Sequence, residues 1–428
     1  MQSTEMKSTQ LRVSEMAENL IGSEIIKLAG EIREKIAKGE KIHNFTIGDF
    51  NPKIFPIPTA LRDAIIEAYQ NDETNYPEAN GMAALRKSVA AFTNERMGLN
   101  YSENEFLISG GARPIIYAVY RTLIDPNDKV VFPVPSWNNN HYSHLTSSQC
   151  VMIETTPENY FMPSADELRP HIRDAAMIAL CSPLNPTGTV FSKEGLESIC
   201  DLILEENARR GPEQKPLYLM YDQIYWVLTY GSTKHYDPVS LRPEMRNYTI
   251  FIDGISKSFA ATGVRVGWAF GPLRVIDKMK SILSHVGAWS PKAEQLATAK
   301  FLNDKKAVDQ YLSSFMSELN DRLNGFYDVF SKLKSEGFKV NAIAPQAAIY
   351  LTVQFDLVGM KTPAGEVLDS MAKVNRYILD EAKIALVPFY AFGASEDSTW
   401  FRLSVGTAQR SDIDAVYVAL KSALSKLS

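Results

Sequence analysis

The chain has 428 residues, 45% hydrophobic and 22% charged, with 45 basic against 50 acidic side chains and a formal net charge of -5. That balance is ordinary for a globular protein with a substantial core, and it excludes a nucleic-acid surface built on excess positive charge. No apolar run approaches the roughly 18 residues needed to span a bilayer. The first residues are polar and carry neither a signal core nor an Arg-rich transit pattern, so a cytoplasmic protein is expected. Three cysteines, Cys150, Cys181 and Cys200, form neither a disulfide framework nor a metal-type pairing.

In chain order, the first ten residues read as loose. Ile25, Ile26, Leu28, Ala29, Ile32 and Ile36 recur at helical spacing, which predicts a helix over 23–38 ended near Gly39. Residues 44–52 read as a short strand and a turn. From about residue 83 helices and strands alternate. Ile115, Ile116, Val119, Tyr120 and Leu123 mark a helix, and strands are expected at 129–134 and 175–180. Leu196, Ile199, Cys200, Ile203 and Leu204 mark the next helix, with Ser192 as its N-cap. Further strands are expected at 217–220, 248–252 and 264–270. Short apolar runs separated by helices imply a mostly parallel sheet covered on both faces. Beyond about 310 come a long helix, strand-like pieces at 338–354, a helix near 363–382 and a strand at 399–405. This reads as a smaller α+β domain.

The chemistry falls just after the strands, where open α/β sheets bind ligands. Residues 256–268 are Ser-Lys-Ser-Phe-Ala-Ala-Thr-Gly-Val-Arg-Val-Gly-Trp, which puts one lysine, Lys257, in a small-residue turn and Arg265 eight positions later. A lysine amine forms a Schiff base with an aldehyde, and an arginine fork grips a phosphate. Together they point to pyridoxal phosphate. Asp222 ends a strand and heads Asp-Gln-Ile-Tyr. It reads either as a helix cap or structural ion pair, or as the partner of a pyridine nitrogen. Tyr225 reads as a core tyrosine or as a donor to the ring hydroxyl. Asn185, in Asn-Pro-Thr-Gly, is a turn residue or a ligand of cofactor and substrate. Ser109-Gly110-Gly111-Ala112-Arg113 precedes a helix and can present backbone N–H groups to an anion, although it is not an ATPase phosphate loop. Trp137 is a core residue or a stacking platform. Arg402, inside the apolar run Trp-Phe-Arg-Leu-Ser, needs a counter-charge, which is a structural acid or a substrate carboxylate. His141 and His144 have no third ligand in view, so no metal is expected.

This ordered set, over roughly residues 20–410, closely resembles the class I aminotransferases of the fold-type I pyridoxal phosphate enzymes, the aspartate aminotransferase-like group. Gly48 and Tyr76, in Asn-Tyr-Pro, complete the match. The resemblance implies a large domain with a mostly parallel seven-stranded sheet between helices, at 53–310. It also implies a small α+β domain at 311–428, joined by residues 1–52. Lys257 is then the Schiff-base anchor and proton carrier. Asp222 pairs with the ring nitrogen, Tyr225 and Asn185 with the ring hydroxyl, and Trp137 stacks on the ring. Gly111, Ala112, Arg113, Ser256 and Arg265 hold the phosphate, and Arg402, Asn185, Trp137 and Gly48 bind the substrate. Tyr76 reaches the neighbouring subunit's phosphate, which implies a homodimer with shared active sites. The expected reaction transfers an amine from an L-amino acid, aspartate- or aromatic-type, to a 2-oxo acid such as 2-oxoglutarate. A lyase or decarboxylase on the same scaffold is the alternative, followed by a non-catalytic binding protein. Three departures stand out. Many relatives have a serine where Gly254 stands and a lysine where Arg113 stands. Residues 284–290 offer no arginine for a distal carboxylate, which tells against strict aspartate specificity.

Overall fold

The computed structural model describes residues 12–428 except 21, 23 and 138. The loose start expected for the first ten residues lies outside the described residues, as does residue 23 of the first expected helix. That helix runs Glu24–Ala37, and its Leu28 and Ile32 pack against Leu379 and Ala385. The turn that follows has Gly39 in the left-handed region.

Seven strands form the large sheet: β1 (Phe106–Ser109), β2 (Lys129–Val134), β3 (Gln149–Glu154), β4 (Ala175–Cys181), β5 (Tyr218–Asp222), β6 (Thr249–Gly254) and β7 (Gly267–Phe270). Their order is β1-β7-β6-β5-β4-β2-β3, with every neighbour parallel except β7, which is antiparallel to both β1 and β6. Successive side chains point to opposite faces. Val130, Phe132, Met177 and Ala179 therefore join one core with Ile115, Val119, Ile276 and Met279 from two helices. Val131, Ile178 and Leu180 join the core on the other face with Leu196, Ile199 and Ile203. Burial on both faces is why the central strands read as continuous apolar runs. The helix carrying Leu196 spans Lys193–Arg210, and Ser192 caps it by accepting the Gly195 N–H at 3.0 Å.

The second body is built on a four-stranded antiparallel sheet: β8 (Val340–Ala342), β9 (Tyr350–Phe355), β10 (Val387–Pro388) and β11 (Trp400–Ser404), in the order β10-β11-β9-β8. The helix Lys305–Ser335 contributes Val308 and Leu312 to the large core, and Leu319, Phe326 and Leu333 to the second. Position 310, the expected domain boundary, falls inside this helix. Residues 43–51 lace along the second body. His43–Asn44 pairs in parallel with Ile384–Ala385, the Phe45 carbonyl accepts the Ser404 N–H, and the Gly406 carbonyl accepts the Asn51 N–H.

Two elements start later than expected. The strand expected from 264 begins at Gly267, because Val264 closes a turn onto the Ala261 carbonyl and Arg265 adopts a left-handed φ of 63°. The strand-like pieces expected at 338–354 are β8 and β9, with a break between them. There the Ala347 and Ala348 N–H groups bond to the Gly188 and Leu228 carbonyls of the large body instead of to a strand neighbour. The helix expected near 363 starts only at Met371, since Lys361 and Val367 bridge around a turn holding Pro363 and Gly365. Among the described residues no helix is long and apolar enough to cross a membrane.

Candidate active site

The sheet register brings the site together. Asp222, the last residue of β5, sits beside Ile252 of β6, and Gly254 at the end of β6 pairs with Gly267, which also pairs with Ser109 of β1. The Gly110-Gly111 turn, the Lys257 turn and Arg265 therefore lie side by side at one end of the sheet.

Lys257 belongs to a four-residue helical turn, Ile255–Ser258, together with the buried Ser256. Its amine donates to the Gly48 carbonyl at 2.5 Å and lies 5.9 Å from the Tyr225 ring centre. Burial lowers its pKa to about 8; Asp49 opposes the fall, and Arg402, Arg113 and Arg265 add to it. An amine poised there is available as a base and nucleophile near neutral pH.

Asp222 has no salt bridge among the described residues, so the ion-pair reading falls away. Its Oδ1 accepts the Ile224 N–H at 3.1 Å, a cap-like bond, and burial raises its pKa to about 6. A recessed carboxylate held by one neutral donor is a place for a cationic N–H.

Arg402 is 2% exposed on β11. It donates to Asn185 Oδ1 at 2.9 Å and to the Thr46 carbonyl at 2.7 Å, both neutral acceptors, and its Nε has no partner among the described residues. Its guanidinium lies 4.6 Å from the Tyr350 ring centre and 4.9 Å from that of Phe392. Among the described residues no acid pairs with it, which tells against a structural salt bridge. A buried guanidinium without a counter-ion fits a carboxylate brought by a ligand.

Gly48 is small because a side chain there would come within 2.9 Å of the Tyr350 hydroxyl and 3.5 Å of Arg402 Nη1. Gly111 has a φ of 95°, and a Cβ on it would overlap the Arg265 guanidinium. Arg265 donates to the Gly110 carbonyl at 2.8 Å and to the Thr262 carbonyl at 2.7 Å. The Gly110 and Gly111 N–H groups are taken up by the Ala288 and Ser109 carbonyls, and Ala112 opens the helix Ala112–Leu123, so it is the first N–H groups of the helix that point outward beside the Arg265 guanidinium. Arg113 stacks its guanidinium over Trp137, 5.2 Å from the ring centre. Tyr76 stands apart from these groups, 81% exposed and edge-on to Trp289. At Gly254 a Cβ would lie 2.9 Å from both Gly267 Cα and the Val266 carbonyl oxygen, so the serine of many relatives does not fit here.

These donors suit pyridoxal phosphate: an amine for the aldehyde, a recessed acid for the ring nitrogen, and a glycine turn with an arginine for the phosphate. The residues that sequence reasoning missed are Tyr350, Thr46 and Asp49. Tyr350 shares a 2.6 Å hydrogen bond between hydroxyls with Tyr225, and burial together with that neighbour pushes the Tyr225 pKa well up. The only sequence signal for Tyr350 is a polar-tipped ring inside an apolar strand. Asp49 had a stronger one, an acid directly after Gly48.

The model of the family "Aminotransferase class I and II" matches residues 40–420. An aspartate aminotransferase of Bacillus sp. (strain YM-2) is 30% identical over 86% of this chain and 89% of its own. A probable aspartate/prephenate aminotransferase of Rhizobium leguminosarum bv. phaseoli is 26% identical over 90% of this chain and 92% of its own. The crystal structure of the aspartate aminotransferase from Rhizobium meliloti superposes with a TM-score of 0.87 at 24% identity, covering 98% of this chain and 100% of that one. With a family match spanning nearly its whole length, this chain belongs to the class I and II aminotransferases, pyridoxal phosphate-dependent enzymes on the aspartate aminotransferase fold.

Proposed function

We propose that the enzyme transfers the amine of an aspartate- or aromatic-type L-amino acid to a 2-oxo acid such as 2-oxoglutarate, working as a homodimer. The observation that carries the reading is Arg402: a buried guanidinium paired with no acid among the described residues, bonded to Asn185 and close to Gly48, whose carbonyl accepts the Lys257 amine. When bound, pyridoxal phosphate supplies an aldehyde and an electron-withdrawing ring. The chain's own residues do the rest. Arg402 and Asn185 grip the α-carboxylate and so fix which substituent of the α-carbon faces Lys257. The Lys257 amine would hold the α-proton between its removal and its return, a task suited to a pKa of about 8. Asp222 in its ionised form would keep the ring nitrogen protonated, and Tyr225, itself bonded to Tyr350, would donate to the ring hydroxyl together with Asn185. Ser256, Arg265, Gly111, Ala112 and Arg113 would hold the phosphate end, and Trp137 would cover the ring. Tyr76 is exposed on a single chain, in keeping with a role in the site of a second copy.

Aspartate as donor is supported by relatives named for aspartate, and a range wider than aspartate by residues 284–290, which lack an arginine for a distal carboxylate. The test is a screen of amino donors against 2-oxoglutarate, read by oxo-acid product and by half-reaction spectra. Stoichiometric amine transfer supports the reading. Release of ammonia or carbon dioxide in its place refutes it and favours the lyase or decarboxylase.

A further inference from the structure

Residues 43–51 cross from the second body over the lysine turn, and what they do there goes beyond Gly48. The next residue, Asp49, points its carboxylate into the same turn. Its Oδ1 accepts the Thr262 hydroxyl at 2.7 Å and the Phe50 N–H at 2.8 Å. Thr262 in turn offers its carbonyl to Arg265 at 2.7 Å. One carboxylate thus ties the segment that receives the Lys257 amine to the loop that carries both Lys257 and Arg265. The Asp49 backbone packs tightly on Gly406, so the side chain is held from the second body as well.

We infer that Asp49 is a positioning residue for the reaction: it is the counter-charge of the Lys257 amine and the tether of the Lys257–Arg265 loop. The charged groups acting on the amine are Asp49 on one side and Arg402, Arg113 and Arg265 on the other. Three guanidiniums around one amine favour its neutral form, and an opposing carboxylate limits that effect. Without it the lysine would lose its proton too readily to hold and return one during turnover. The tether matters separately. Arg265 sits at a left-handed φ of 63°, which costs a non-glycine residue free energy, and the Thr262 carbonyl is one of the bonds that hold it there.

The inference rests on Lys257 being the reacting amine, and its test is independent of turnover. Cofactor-free protein is labelled competitively with acetic anhydride across a pH series, and the Lys257 peptide is quantified by mass spectrometry. Asp49→Asn is expected to lower the Lys257 titration midpoint by roughly one pH unit, the size typical of losing a nearby opposite charge. Asp49→Glu is expected to keep it. Thr262→Val, which breaks the tether and leaves the charge, is expected to keep the midpoint but weaken pyridoxal phosphate binding. If Asp49→Asn does not fold, Asp49→Ser gives the same neutral comparison. An unmoved midpoint in the neutral variant, or an equal shift in Thr262→Val, overturns the inference. Failure of the underlying reading would look different: Lys257→Ala would still turn over.

Discussion

Replacing Asp222 by Asn is expected to stabilise the cofactor-free protein while disabling the enzyme. Burial raises the Asp222 carboxyl from 3.8 to about 6. The folded state therefore disfavours the ionised form by about 2 pH units, or roughly 3 kcal/mol at neutral pH. Asp222 keeps some solvent access, so this figure is an upper bound. The sign follows from linkage. Below about pH 4 the carboxyl is protonated in both folded and unfolded chains and costs nothing; the cost grows between about pH 4 and 6 and is complete above. Asparagine keeps an oxygen for the Ile224 N–H and has no charge to bury. Urea unfolding of the cofactor-free parent and variant should therefore coincide at about pH 4 and separate at about pH 7.5, with the variant more stable by up to ~3 kcal/mol. Added pyridoxal phosphate should stabilise the parent far more than the variant, because only the parent offers an anion to the ring nitrogen. An equal effect at both pH values, or a less stable variant at the higher one, would show that Asp222 is not an uncompensated carboxylate.

Arg402→Lys keeps the charge but loses the fork that spans Asn185 and Thr46. One charged hydrogen bond is worth about 1.5–3 kcal/mol, so kcat/KM should fall about 10- to 100-fold for every donor alike; a loss confined to one donor would contradict α-carboxylate binding. Lys257→Ala should fold and bind pyridoxal phosphate without turning over, as read by cofactor retention and single-turnover spectra; full activity would remove its assigned role. Gly254→Ser, which restores the serine of many relatives, drives a Cβ against Gly267 and Val266 and should cost about 1–3 kcal/mol in denaturant unfolding. Unchanged stability would mean that the strand ends can part.

What was legible in the sequence was charge in the wrong company. Lys257 in a small-residue turn, Asp222 at the end of an apolar run and Arg402 inside one are each costly to bury, and each drew attention for that reason. The central strands were equally legible, because burial on both faces leaves an unbroken apolar run. Two strands of the large sheet escaped: β1 has only four residues, and β3 is an edge strand with most of its side chains in solvent; in the second body β10, with two residues, is too short to leave a pattern. Tyr350 and Thr46 escaped for another reason. Their roles arise from pairings across the fold, Tyr350 with Tyr225 and the Thr46 carbonyl with Arg402. A tyrosine in an apolar strand, or a backbone carbonyl, carries no local sign of a distant partner. Gly254 shows the converse: its missing hydroxyl reads as a lost phosphate ligand until the approach of Gly267 shows that no side chain fits.

The helix Lys305–Ser335 has a consequence for how the molecule comes apart. Val308 and Leu312 are embedded in one core and Leu319 to Leu333 in the other, on a single continuous rod. Neither core can melt without freeing a wall of its neighbour. The pairing of His43–Asn44 with Ile384–Ala385 also makes early and late parts of the chain depend on one another. The two bodies are therefore not separable units: severing the chain near residue 310 strips both halves of packing, and heating should dismantle them in one cooperative transition.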